Sequence, residues 1–164
     1  MDWWLDFDRT LFDADAARTH WGDAFMEIVH ACGPFAQGSL KEFIYDDAWV
    51  FLSEVRARGD RTYILSSYIA RSTPMPPNDR FQQAKIAACG LDGLFNAIHV
   101  VGEEKGAELA HNAPPTHPAI FVDDMPHHLL SAQAHAPWVT GVLIDRGGTA
   151  NFSGRTIRTL TELL

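Results

Sequence analysis

Short apolar runs alternate along the chain with longer stretches in which apolar residues recur at helical spacing. Five of the runs read as buried strands: Asp2 to Asp6, Thr62 to Ser66, Ala97 to Val101, Ala119 to Val122 and Val139 to Ile144. Each is apolar on both faces and bounded by turn or polar residues, as parallel strands covered by helices should be. Between them lie the helix signals. Ala14 to Cys32 places Ala17, Trp21, Phe25 and Ile28 on one stripe, and Gly33-Pro34 stops it. Ser39-Leu40-Lys41-Glu42 reads as a capping box opening a second helix that runs through Ile44, Ala48, Phe51, Leu52 and Val55 to a stop at Gly59. A third helix starts at Asn78 or Asp79 and ends at Gly90. Glu103 to Ala110, Pro126 to Ala134 and Thr156 to Leu164 complete the set. Alternating strands and helices predict an α/β fold with a doubly wound parallel sheet, in which ligands sit beyond the carboxyl ends of the strands.

Those strand ends carry the chemistry. Asp6 follows the first strand, Ser66-Ser67 ends the second, Lys105 follows the third closely, and Asp123-Asp124 ends the fourth. Carboxylates gathered in one small pocket cannot all stay ionised without a compensating cation, and Mg²⁺ suits hard oxygen ligands. One carboxylate could then attack phosphorus and a second could move the proton. Asp6 and Asp8, two apart, would share a face of an extended segment. Each element also has a plain structural use: Asp-x-Asp as a turn or helix cap, Ser66 as a turn residue, Lys105 as a surface lysine, Asp123-Asp124 as an N-cap before Pro126. Their order and shared position favour the catalytic use.

Composition narrows the partners. The chain has 164 residues, fitting one domain, with a net charge of −8. Such an acidic chain argues against nucleic acid as a partner. No apolar stretch spans a bilayer, no signal-peptide pattern precedes Trp3-Trp4-Leu5, and Cys32 and Cys89 read as buried free thiols, so a cytoplasmic location without membrane contact is expected.

The motifs together resemble the haloacid dehalogenase-like superfamily. Asp6-Phe7-Asp8-Arg9-Thr10 matches its first motif, Tyr63-Ile64-Leu65-Ser66 its second, Lys105-Gly106 its third, and Ile120-Phe121-Val122-Asp123-Asp124 its fourth. Cys89-Gly90-Leu91-Asp92-Gly93-Leu94-Phe95 is similar to the segment preceding the third strand in many members. The resemblance implies strand order 5-4-1-2-3. It implies Asp6 as nucleophile and metal ligand, and Asp8 as general acid/base that offers its carbonyl to the metal. Asp124 would bind the Mg²⁺ directly and Asp123 directly or through water. Ser66 and Lys105 would hold the phosphoryl group, with Thr10 and Ser67 also at the substrate. An acid at Asp8 resembles the phosphatase and phosphomutase branch, since the dehalogenases lack one and need no metal.

The expected activity is therefore Mg²⁺-dependent hydrolysis of a small phosphomonoester through an aspartyl-phosphate. A phosphotransferase or phosphomutase, or a non-catalytic metal-binding module, is the alternative. A receiver domain would place its paired acids early, whereas here they come last. About fifty-five residues separate Thr10 from Ser66, leaving room for a helical pair only, so a reduced cap is expected over residues 13–47 within a single 1–164 domain. Trp21, Phe25, Phe35, Phe43, Tyr45 and Trp49 make that segment aromatic. Packing is its first use, and a substrate wall or homodimer interface its second. Residues 67–80, with Pro74, Pro76 and Pro77, read as a loop. Arg9, Arg71, Arg146 and His127 are candidates for contacting the leaving group.

Overall fold

The computed structural model describes residues 1–22, 40–68, 78–91, 93–102 and 104–164. Among them, six strands form one parallel sheet in the order β3-β2-β1-β4-β5-β6: β1 Asp2–Leu5, β2 Arg61–Ser67, β3 Ala97–Val101, β4 Ala119–Asp123, β5 Val139–Ile144 and β6 Arg155–Ile157. Helix α1 (Ala14–Trp21) packs on the turn at Lys41–Phe43, and α2 (Asp46–Ala57), α3 (Asn78–Ala88), α4 (Lys105–Asn112) and α5 (Pro126–His135) flank the sheet. The five expected strands and their order are present, and β6 extends the sheet beyond β5.

Strand alternation divides the core in two. Trp3, Leu5, Ile64, Val122 and Val142 face one side, where Phe51, Leu52 and Val55 of α2 and Ile86 of α3 cover them. Trp4, Leu65, Phe121 and Leu143 face the other, against Leu109 of α4 and Leu129 and Ala132 of α5. Parallel strands buried on both sides explain why their sequences show no polar alternation.

Three expectations change. The terminal segment is not a helix from Thr156. Its β-branched Thr156 and Ile157 pair with Leu143 and Ile144 at the sheet edge. Only a single 3-10 turn follows, Leu160–Leu163, with a capping box between Thr159 and Glu162. The second helix is interrupted as well: a 3-10 turn over Lys41–Phe43 precedes an extended Ile44, which bridges Phe12, and α2 begins at Asp46. Pairing with the loop after β1 thus overrides the helical pattern at Ile44. Thirdly, β1 stops at Leu5, so Asp6 and Asp8 do not sit on one strand face. The chain folds back over residues 7–12, with Arg9 at φ 60 and the amides of Leu11 and Phe12 both donating to the Phe7 carbonyl at 2.9 Å.

Gly59 and Gly90 have the positive φ expected of helix stops. The Ser39 cap, Phe25, Ile28, Cys32, Phe35, Arg71, the three prolines of the 67–80 loop and residues 23–39 of the 13–47 segment lie outside the described residues.

Candidate active site

The pairing of β1 with β4 decides the geometry. The Asp6 amide donates to the Val122 carbonyl at 2.9 Å, continuing the ladder one residue past β1 and setting Asp6 beside Asp123. Lys105, the first residue of α4, lies between them. Its Nζ donates to Asp6 Oδ1 at 2.5 Å and to Asp123 Oδ2 at 2.7 Å. All three side chains are buried. A buried ammonium with two carboxylate partners is satisfied electrostatically. Burial would lower the Lys105 pKa, but Asp6 and Asp123 together raise it, so the amine stays charged.

Asp6, Asp123 and Asp124 each offer a carboxylate oxygen, and these oxygens lie within 4.8 Å of one another. Asp123 is already engaged at both oxygens, Oδ2 by Lys105 and Oδ1 by the Met125 amide at 2.8 Å. A cavity of about 160 Å³ at this end of the sheet is lined by Asp6 and Asp124, with Asp8, Arg9, Ser67, Lys105, Met125 and His128. Desolvation, opposed by Lys105 and reinforced by Asp123 and Asp124, holds the Asp6 pKa well above its ordinary value. Burial, then Asp123, raises Asp124 to about 6. An all-carboxylate donor set whose members resist ionising together fits a hard divalent cation.

The remaining motif residues are placed less uniformly. Asp8 lines the cavity, yet its carboxylate turns toward α3. Lys85 Nζ donates to its two oxygens at 2.6 and 2.7 Å, and Gln82 Nε2 donates to Oδ2 at 2.8 Å. Ser66 is buried, with Oγ accepting from the same Gln82 nitrogen at 2.7 Å. Ser67 lines the cavity, its Oγ 3.3 Å from His128 Nε2. Burial lowers the His128 pKa to about 4, so its ring is neutral at pH 7. Thr10 is fully buried, is absent from the described cavity wall, and has an unpartnered Oγ1.

Of the candidates for the leaving group, Arg9 is at the cavity rim, paired with Asp15 at 2.9 Å. Arg146 instead serves the loop after β1. It donates to the carbonyls of Arg9 (3.1 Å) and Thr10 (2.7 Å), pairs with Asp47 at 3.0 Å, and stacks 3.7 Å from the Tyr45 ring centroid. A second cavity of about 370 Å³ shares Arg9 and Asp124 with the first and extends along Tyr45, Arg146 and Thr149.

Sequence reasoning did not single out Gln82, Lys85 or His128 for the site. A signal for the first two was present: with Ile86 they fall on the buried stripe of α3, an unusual place for a lysine.

No protein-family model matches the chain. No curated protein sequence matches it either. Solved structures do. The putative HAD-hydrolase YfnB from Bacillus subtilis, determined bound to magnesium, aligns with TM-score 0.66 at 15% identity, covering 99% of this chain and 96% of that one. UTR4 from Saccharomyces cerevisiae aligns with TM-score 0.63 at 14% identity over 99% of each chain. L-2-haloacid dehalogenase from Xanthobacter autotrophicus, with chloropropionic acid covalently bound, aligns with TM-score 0.57 at 17% identity, covering 99% and 96%. The fold of this chain is that of the haloacid dehalogenase-like hydrolases.

Proposed function

We propose that the protein is a Mg²⁺-dependent phosphomonoester hydrolase that works through an aspartyl-phosphate on Asp6. The observation that carries this reading is the convergence of Asp6, Asp123 and Asp124 around one point beside the Lys105 ammonium. A phosphoryl group brings negative charge, and this arrangement of a metal-competent triad and a fixed cation is suited to receive it.

Asp6 and Asp124, with Asp123 in support and the Asp8 carbonyl as a further ligand, would hold the Mg²⁺, which would supply charge neutralisation at the phosphoryl oxygens. An Asp6 oxygen attacks phosphorus as the ester P–O bond breaks. The departing oxygen takes a proton from the Asp8 carboxyl, which becomes carboxylate. Water then attacks the phosphorus of the aspartyl-phosphate, gives its proton to Asp8, and releases inorganic phosphate and free Asp6. Lys105 and the Ser66 hydroxyl hold phosphoryl oxygens, with Thr10 supporting the loop and Ser67 at the cavity wall. Residues 13–47 act as a reduced cap, and the adjoining cavity along Tyr45 and Arg146 receives the leaving group.

One of the aligned structures is a haloacid dehalogenase, so halide release is the second reading. Asp8 separates the two, because an ester oxygen needs a proton on departure and a halide does not. The test is a panel of phosphomonoesters and 2-haloacids, with and without Mg²⁺, beside Asp6→Asn. Phosphate release that requires metal and vanishes in the variant is expected. Phosphate release surviving Asp6→Asn, or metal-independent halide release alone, overturns the proposal.

A further inference from the structure

We infer that Lys85 and Gln82, one helical turn apart on α3, are positioning residues for the acid/base group and the phosphoryl-binding hydroxyl. This inference rests on the phosphatase reading and goes beyond it. The Lys85 side chain is 6% exposed, and its Nζ bonds both Asp8 oxygens. The same nitrogen lies 5.4 Å from the centroid of the Phe7 ring and 5.5 Å from that of Phe12. An ammonium placed so deeply stabilises a fold no better than a well-packed apolar side chain would. What it adds is direction: with both oxygens engaged, the Asp8 carboxylate keeps one orientation, turned toward α3 at the wall of the cavity.

Gln82 extends the control to Ser66. Asp8 Oδ2 accepts from the Lys85 ammonium, and the Gln82 amide nitrogen, which only donates, is its other partner. That nitrogen also reaches Ser66 Oγ, which therefore accepts from it. The Ser66 O–H is then left to donate elsewhere, toward a phosphoryl oxygen. One glutamine thus fixes the polarity of the hydroxyl and the aim of the acid together.

The test separates these two jobs by leaving group. Departure of 4-nitrophenolate needs no proton, whereas departure of an alkoxide does, and kcat/KM reports the steps up to that departure. In Lys85→Met, kcat/KM for a simple alkyl phosphate should fall at least about tenfold, within the range of lost general-acid catalysis. That for 4-nitrophenyl phosphate should stay within about threefold. In an Asp8→Asn background the Lys85 effect on the alkyl phosphate should disappear, because the two act as a unit. Gln82→Met should lower kcat/KM for both substrates, through Ser66, and it serves independently if Lys85→Met fails to fold. Equal losses on both substrates in Lys85→Met, a Lys85 effect that persists without Asp8, or an unchanged Gln82→Met overturns the inference. Wild-type protein inactive on both esters with Mg²⁺ overturns the functional reading beneath it, a result distinct from these.

Discussion

At neutral pH the Asp124 carboxylate is ionised against its surroundings, since burial and the Asp123 charge raise its pKa to about 6. The folded state therefore binds this proton more tightly than the unfolded chain, and stability is lost as pH rises from about 4 through 6. Asp124→Asn should stabilise the metal-free protein at pH 7 by up to about 2 kcal/mol, read from urea unfolding. His128 has the opposite sign. Its folded pKa of about 4 lies below the ordinary 6.5, so stability falls as pH drops from 6.5 toward 4. The loss attributable to it is at most roughly 3 kcal/mol, and His128→Gln should flatten that slope. The two windows overlap, so each is measured as a difference between variant and wild type. A variant curve parallel to wild type would show that the group is not perturbed as described.

At the scale of elements, the position of α4 rests on Gly106. A Cβ there would come within 2.4 Å of the Ser131 carbonyl oxygen on α5, so the two helices could not keep their spacing. Gly106→Ala should cost about 1–3 kcal/mol and displace the neighbouring Lys105 from Asp6 and Asp123. A loss of activity larger than the loss of folded protein would show that displacement. The loop after β1 has its own clamp in Arg146, which bonds two loop carbonyls and Asp47 through a planar fork. Arg146→Lys cannot reproduce that fork and should behave nearly as poorly as Arg146→Met, each losing about 1–3 kcal/mol of stability. Full recovery by lysine would mean that charge alone matters there.

For the whole molecule, a cation held by the acidic cluster would couple folding to metal. A cation that binds only the folded protein stabilises it by about 2.7 kcal/mol at a hundredfold excess over its Kd. For a chain of this size that corresponds to a rise in Tm of roughly 5–10 °C. Saturating Mg²⁺ should produce such a shift in wild type and little in Asp124→Asn. A shift of equal size in both would place the cation elsewhere. Among the described residues no helix is long and apolar enough to cross a membrane.

The amino-acid sequence by itself determined the alternation of buried strands and amphipathic helices. Strand faces and helix stripes are local consequences of which side chains avoid water, so β3 and β5 were legible to the residue. It also placed Asp6, Ser66, Lys105 and Asp123-Asp124 at the strand ends, where topology makes a ligand site. Tertiary structure decided what local pattern does not contain. Thr156 and Ile157 joined the sheet edge because β5 was there to pair with, and Ile44 left the helix to bridge Phe12. Asp6 and Asp8, read as one motif, were assigned different partners, Lys105 for the first and Lys85 with Gln82 for the second. Those partners lie between 74 and 99 residues away in sequence. Only packing the helices onto both faces of the sheet brings them within hydrogen-bond reach.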